Sequence, residues 1–199
     1  MKRTLSIKLA RIISTIFVPP SFTLIFFLSF SFSLELTYQK SLVMILVALI
    51  FGFVAPIVLF LFLRNKGKLV DIDASVKEER TVPFLIAELF YLAGLFILIF
   101  YKINIISIAF WFCYISNTLI IVFINKYWKI SVHAMGAAGP AAAIIFIFGW
   151  IGLLMFAVVA IVGWSRVKLK CHSISQVFAG ALFGFVSTYL QIYMISKYL

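Results

Sequence analysis

Residues 134–163 carry no charged side chain, a run of about 30 residues. The hydrocarbon core of a bilayer, roughly 30 Å thick, takes about 20 apolar residues in one helical crossing. The run is therefore too apolar to face water and longer than one crossing needs. Phe148-Gly149-Trp150 in its middle supplies a turn, so it reads as a hairpin of two short helices. Apolar runs at 12–34, 42–63, 83–101 and 103–124 read as one span each, with a last span at 174–195. That makes seven segments. A single crossing at 134–163 would make six, but would put the loops around Lys129 and Trp164 on opposite membrane faces. Two crossings put them on the same face, and this is the reading adopted.

The chain is 65% hydrophobic and 12% charged, with a mean hydropathy of +1.19, which excludes a soluble domain. The expected fold class is all-α, a polytopic transmembrane helical bundle, with residues 1–199 as a single membrane domain. Tyr38, Tyr101, Tyr127, Trp128, Trp150 and Trp164 lie at the expected span ends, as an interfacial aromatic belt requires. Lys2, Arg3, Lys8 and Arg11 before the first run also fit a signal peptide, but the run is too long for a typical one. It reads as a spanning segment that Pro19-Pro20 kinks or interrupts.

A net charge of +11 raises the question of nucleic acid. The basic residues, however, sit in short loops between apolar runs, where they set topology and face lipid headgroups or phosphates. The partner is the lipid bilayer, not nucleic acid. With the amino terminus inside, 14 of the 17 Lys and Arg fall on the cytoplasmic side, with Lys40, Lys102 and Lys197 opposite. The loops at 64–82, 125–132 and 164–171 are thus expected to face the cytoplasm. Cys113 and Cys171 have neither the number nor the spacing of a metal site or a disulfide framework, and no metal or cofactor is expected.

Those three loops carry the chemistry. Ser165-Arg166-Val167-Lys168-Leu169-Lys170-Cys171-His172 places an arginine and a histidine in one loop. A phosphate needs several cationic or N–H donors, and a histidine beside that cradle is suited to attack phosphorus. Gln176 follows His172 by one helical turn, so its amide oxygen is placed to accept from one imidazole nitrogen and leave the other free. The second loop, Trp128-Lys129-Ile130-Ser131-Val132-His133, offers Ser131 and a helix amino terminus for phosphate oxygens, and His133 for protonating a departing alkoxide. In the third, Lys77 and Arg80 complete a cationic clamp.

The order Lys and Arg, then Ser and His, then Ser-Arg, five residues and His resembles the three-part signature of the type 2 phosphatidic acid phosphatase superfamily, over roughly residues 68–185. The Trp-Lys-Ile-Ser-x-His loop before small residues, and a glutamine after the last histidine, are similar to a divergent branch of it. The resemblance implies a six-helix phosphatase-like core at about 42–199, short hairpin helices within it, and a metal-independent phosphoesterase without cofactor. It also implies a phosphohistidine on His172, His133 as general acid, and Lys77, Arg80, Lys129, Ser131, Ser165 and Arg166 around the phosphate. The substrate class it implies is a lipid phosphate: phosphatidic acid, phosphatidylglycerol phosphate or a polyprenyl phosphate. Four positions depart from the usual pattern. Asp73 stands where a lysine is usual, Ile130 and Val132 replace a proline and a glycine, and Gln176 replaces an aspartate.

Glu88, about two turns into the helix after Arg80, is costly inside a membrane unless paired. A pair with a basic loop residue and a role in orienting a histidine are equally compatible with its position. Asp71 and Asp73 lack the longer aspartate-rich motifs that hold magnesium in prenyl transfer. Besides hydrolysis, the same residues permit a lipid-phosphate-binding scaffold without turnover, or transfer of the phosphoryl group from His172 to an alcohol. Gly180, Gly184 and the small residues at 136–143 read as close helix packing, and Asn117 and Gln191 as interhelical hydrogen bonds.

Overall fold

A computed structural model describes residues 2–70 and 76–199, with side chains from residue 4 onward. Among the described residues the chain is helical throughout. Helices α1 (Lys2–Ile16) and α2 (Pro19–Ser33) meet at a 55° bend. Val18 before the prolines takes the extended conformation, φ −78° and ψ 154°, and Pro19 opens α2. This is where a missing N–H costs least and where the residue before proline is pushed out of the helical region. The expected span at 12–34 is accordingly not one helix, because Ile12 to Ile16 belong to α1. At 15 residues α2 is about 22 Å long, short of a full crossing by itself.

The next span is one 28-residue stretch, Tyr38–Asn65. It comprises α3 (Tyr38–Val47), a π-helical segment (Ala48–Val54) and α4 (Ala55–Asn65). Pro56 in the first turn of α4 has no N–H to give the preceding turn, and the wider π turns lie just before it. A 3-10 turn, Glu78–Arg80, leads into α5 (Thr81–Phe100), and α6 (Ile105–Tyr127) starts at Asn104, whose side chain accepts from Ile106 N–H at 2.9 Å. Helix α7 (Val132–Phe148) is capped by Ser131, which accepts from Ala134 N–H at 3.3 Å.

Val132–Lys168 is apolar enough to pass as a single 37-residue span. The backbone instead reverses. Gly149 has φ +68° and ψ −140°, a region only glycine enters at low cost. The 3-10 segment Gly149–Leu154 then folds against α7, so close that a Cβ on Gly152 would lie 2.6 Å from Ile145 N. Helix α8 (Met155–Lys168) runs back, and α9 (Ile174–Tyr198) begins beside the start of α7, where Ser131 N–H donates to Gln176 O at 3.2 Å. The expected hairpin is present. With α1–α2 as one bent span, the chain is a multi-pass helical membrane protein.

The bundle is held at two levels. Near one end, Gly52 and Gly94 leave room for the buried indole of Trp111, which donates to Tyr91 O at 2.7 Å and meets Phe27 edge-on at 5.2 Å. Around α7 and α9 the approach is backbone to backbone: a Cβ on Gly180 would lie 2.4 Å from Ser131 O, and one on Gly184 2.6 Å from Met135 O. In lipid, close contact of this kind replaces the hydrophobic drive between helices. Asn117 of α6 joins α9 through Thr188 at 3.2 Å, Ser187 at 2.6 Å and Gln191 at 3.0 Å, so the two polar residues serve interhelical bonding as expected.

Candidate active site

The three polar loops converge at one end of the bundle. Lys77 Nζ donates to Lys126 O at 3.1 Å, Arg80 Nη1 to Ile130 O at 3.3 Å, and Lys129 Nζ to Cys171 O at 2.6 Å. The opposite end is tied separately, with Asn104 N–H donating to Glu35 Oε1 at 2.7 Å and Lys40 donating to Lys102 O.

Helix α8 ends in a turn that brings its arginine and the following histidine together. Lys170 N–H bonds Val167 O at 2.9 Å and Cys171 N–H bonds Arg166 O at 3.0 Å, the paired bonds of a Schellman motif. Lys170 takes φ +58° in the position usually given to glycine. His172 N–H also reaches Arg166 O, at 3.3 Å, so the arginine and histidine are locked through the backbone. Ser173 then caps α9 in a reciprocal box: its Oγ accepts from Gln176 N–H at 3.2 Å, while Gln176 Oε1 accepts from Ser173 N–H at 3.2 Å.

That box also sets the histidine. Gln176 Oε1 lies 3.1 Å from His172 Nδ1. Because the same oxygen already accepts from the Ser173 amide, the side-chain carbonyl faces the ring, and Nδ1 carries the proton. The lone pair is then on Nε2. His172 is 6% exposed, and its pKa is pushed down to about 3, chiefly by burial and then by the positive charges of Arg80, Lys129 and Arg166, against the hydrogen bond it donates to Gln176 Oε1. The imidazole is neutral at physiological pH, as a nitrogen nucleophile must be.

His172, His133 and Arg80 line one cavity of about 440 Å³. Away from these polar groups the cavity runs between helices, past Pro19 of α2, Pro56, Ile57 and Phe60 of α4, and Phe84 of α5. Its volume and its apolar walls with a few convergent polar groups are those of a small-ligand site.

The remaining expected residues occupy other places. Arg166 and Ser131 are fully buried and do not line the cavity; Arg166 Nη1 donates to Ser14 Oγ, which does, and Ser131 holds the start of α7. Lys129 ties the second loop to the third and contributes its charge. Lys77 and Ser165 are not on the cavity wall. The ammonium of Lys77 sits between Lys126 O and Glu78, 3.7 Å away, and the Ser165 hydroxyl donates back to Val162 O at 2.7 Å. Glu88 is 5% exposed and faces Thr118, and among the described residues neither carboxylate oxygen is hydrogen-bonded to a histidine or a basic side chain. Asp71 and Asp73 lie outside the described residues. Among the described residues, no group of three or more His, Cys, Asp and Glu side chains is placed to hold a metal ion.

Arg11 and Ser14 of α1 are absent from the loop motifs yet line the same cavity. The sequence signal for them was the Pro19-Pro20 break, which turns α1 aside from α2.

The fold defines a class, the multi-pass helical membrane protein with a buried histidine site at one end. Comparison with protein-family models, with curated proteins and with solved structures finds no match for this chain.

Proposed function

We propose that this protein is a metal-independent lipid phosphatase of the type 2 phosphatidic acid phosphatase kind, working through a phosphohistidine on His172. One observation carries the reading: a neutral imidazole with Nδ1–H held by Gln176 shares a cavity with a second histidine and an arginine, and that cavity continues into an apolar channel between helices. The phosphate lies at the polar end and the tail in the channel, entering sideways from the bilayer.

In the first step His172 Nε2 attacks phosphorus. The P–N bond forms as the bond to the lipid oxygen breaks, and the imidazolium of His133 gives its proton to that oxygen. Arg80, Arg166 and the amides at the start of α7 spread the charge of the phosphoryl oxygens. In the second step neutral His133 takes a proton from water as the water oxygen attacks phosphorus, the P–N bond breaks, and inorganic phosphate leaves. The phosphorylated ring is more positive than the free one, so the bond from Nδ1–H to Gln176 strengthens as the reaction proceeds. The excess of Lys and Arg at this end supports a cytoplasm-facing site.

A binding protein without turnover is the second reading, favoured by one feature: three cations surround His172 and, among the described residues, no carboxylate bonds to it. Phosphate release separates the two. Purified protein in detergent and chelator is given phosphatidic acid, phosphatidylglycerol phosphate and polyprenyl phosphates, with His172→Ala as the control. Release that disappears in the variant is expected. A folded parent that binds these lipids and releases nothing overturns the phosphatase reading, and release only when an alcohol is supplied identifies a phosphotransferase.

A further inference from the structure

Helix α1 lies outside the three loops, but its last turns are built into the site. Ser14 is 3% exposed, and its hydroxyl accepts from Nη1 of Arg166, a residue 152 positions away with no exposed surface. Arg11, one turn earlier, is half-buried and lines the cavity together with Arg80, His133 and His172. Beyond the bend, Pro19 rests on α7, where a Cβ on Gly136 would meet it at 3.0 Å. The elbow is therefore wedged against α8, which carries Arg166, and against the first turn of α7, which carries His133.

The opposite face of α1 is apolar and outward. Leu5, Leu9, Ile12 and Ile16 recur at helical spacing and are 64%, 50%, 55% and 56% exposed, whereas Ala10 and Ser14 face inward. As the first arm of the bent span, α1 turns this stripe to lipid and carries its basic groups toward headgroup depth. Arg11 of this helix and His172 line the same cavity.

We propose that α1 completes the site, with Arg11 as a headgroup-binding residue and Ser14 as the positioning residue for Arg166. This rests on the reading of the cavity as a lipid-phosphate site. Arginine has several rotatable bonds, and the hydroxyl of Ser14, itself on the cavity wall, fixes one arm of the Arg166 fork beside the cavity before substrate arrives. Arg11 adds a cation to the cavity wall that a phosphomonoester dianion would meet.

The test compares Ser14→Ala, Ser14→Thr and Arg11→Gln with the parent, using phosphatidic acid in mixed micelles. Ser14→Ala is expected to lower kcat about tenfold, as loss of a hydrogen bond to a charged group does, and Ser14→Thr to restore it. Arg11→Gln is expected to raise KM about tenfold with kcat within about twofold. A fall in melting temperature for Ser14→Ala with unchanged kcat would reduce Ser14 to a packing role and overturn the assignment, as would unchanged KM in Arg11→Gln. If the parent has no turnover, the phosphatase reading fails by itself. Both residues are then read from binding of phosphatidic acid in mixed micelles: about tenfold weaker binding by Ser14→Ala and Arg11→Gln supports the proposal, and equal binding refutes it.

Discussion

Replacing Gln176 by leucine removes an acceptor that two donors share, the Ser173 amide and Nδ1–H of His172. The first loss loosens the start of α9, by about 1 kcal/mol for a cap of this kind. The second bears on catalysis. A hydrogen bond between neutral groups contributes about 1 kcal/mol, and one to a group gaining charge about 1.5–3 kcal/mol. The difference, about 0.5–2 kcal/mol, is felt only as the ring becomes positive, and at about 1.36 kcal/mol per decade it lowers kcat roughly 2- to 30-fold. Losing the tautomer preference adds to the fall. Gln176→Glu keeps the acceptor for Ser173 N–H and brings a negative charge to the ring, so the His172 pKa rises from about 3 and the chemical step quickens. The assay is single-turnover phosphate release, paired with nitrogen NMR of the imidazoles, which is simple in a chain with two histidines. A leucine variant that keeps both its rate and the Nδ1–H tautomer would refute the account of the site.

Because His172 holds its proton less tightly folded than unfolded, the unfolded chain takes up a proton that the native site refuses between about pH 6.5 and 3. Stability should therefore fall with decreasing pH across that window, and His172→Asn should flatten the slope of melting temperature against pH. Gly180→Ala drives a methyl into Ser131 O and is expected to cost about 1–3 kcal/mol and to part α9 from the start of α7, measured as a lower melting temperature with loss of activity. Lys170→Gly relieves a left-handed conformation and is expected to raise stability by about 1 kcal/mol with activity unchanged. Glu88→Met removes a buried carboxyl group with no cationic partner among the described residues, and is expected to raise the melting temperature while phosphate release stays within about twofold. Lost release in a stable Glu88→Met would show that the carboxyl serves the chemistry.

Much of the fold is legible from the chain because a bilayer sets a length that apolar runs must meet. The reversal at Gly149, the Ser131 cap and the pairing of His172 with Gln176 depend on residues a few positions apart, and local rules reach them. What local rules miss has two causes. Hydropathy is continuous through Pro19-Pro20, so it reports that residues 12–34 are apolar but not that α1 leaves at 55° and joins the site. The contact of Ser14 with Arg166 is set by packing of α1 on α8, and no spacing encodes it. Lys77 shows the converse: its place beside a motif suits a phosphate clamp, yet a carbonyl of the neighbouring loop holds its ammonium. Glu88, for which pairing or histidine orientation was expected, has neither among the described residues, since burial can be read from hydropathy but a partner cannot.

The π-helical segment Ala48–Val54 has a consequence for the channel walls. Each residue of an ordinary helix advances the chain by about 100° around the axis, so a wide turn that absorbs one extra residue resets the angular phase of everything after it. Ile57 and Phe60 face the cavity in the phase set beyond that turn. Deleting one residue from the segment would let the helix close up, rotate α4 by about 100° and swing both side chains off the wall, with every residue type in α4 unchanged. The shape of the channel is thus stored partly as a count of residues, which makes it sensitive to a deletion that leaves the hydropathy of the span almost untouched.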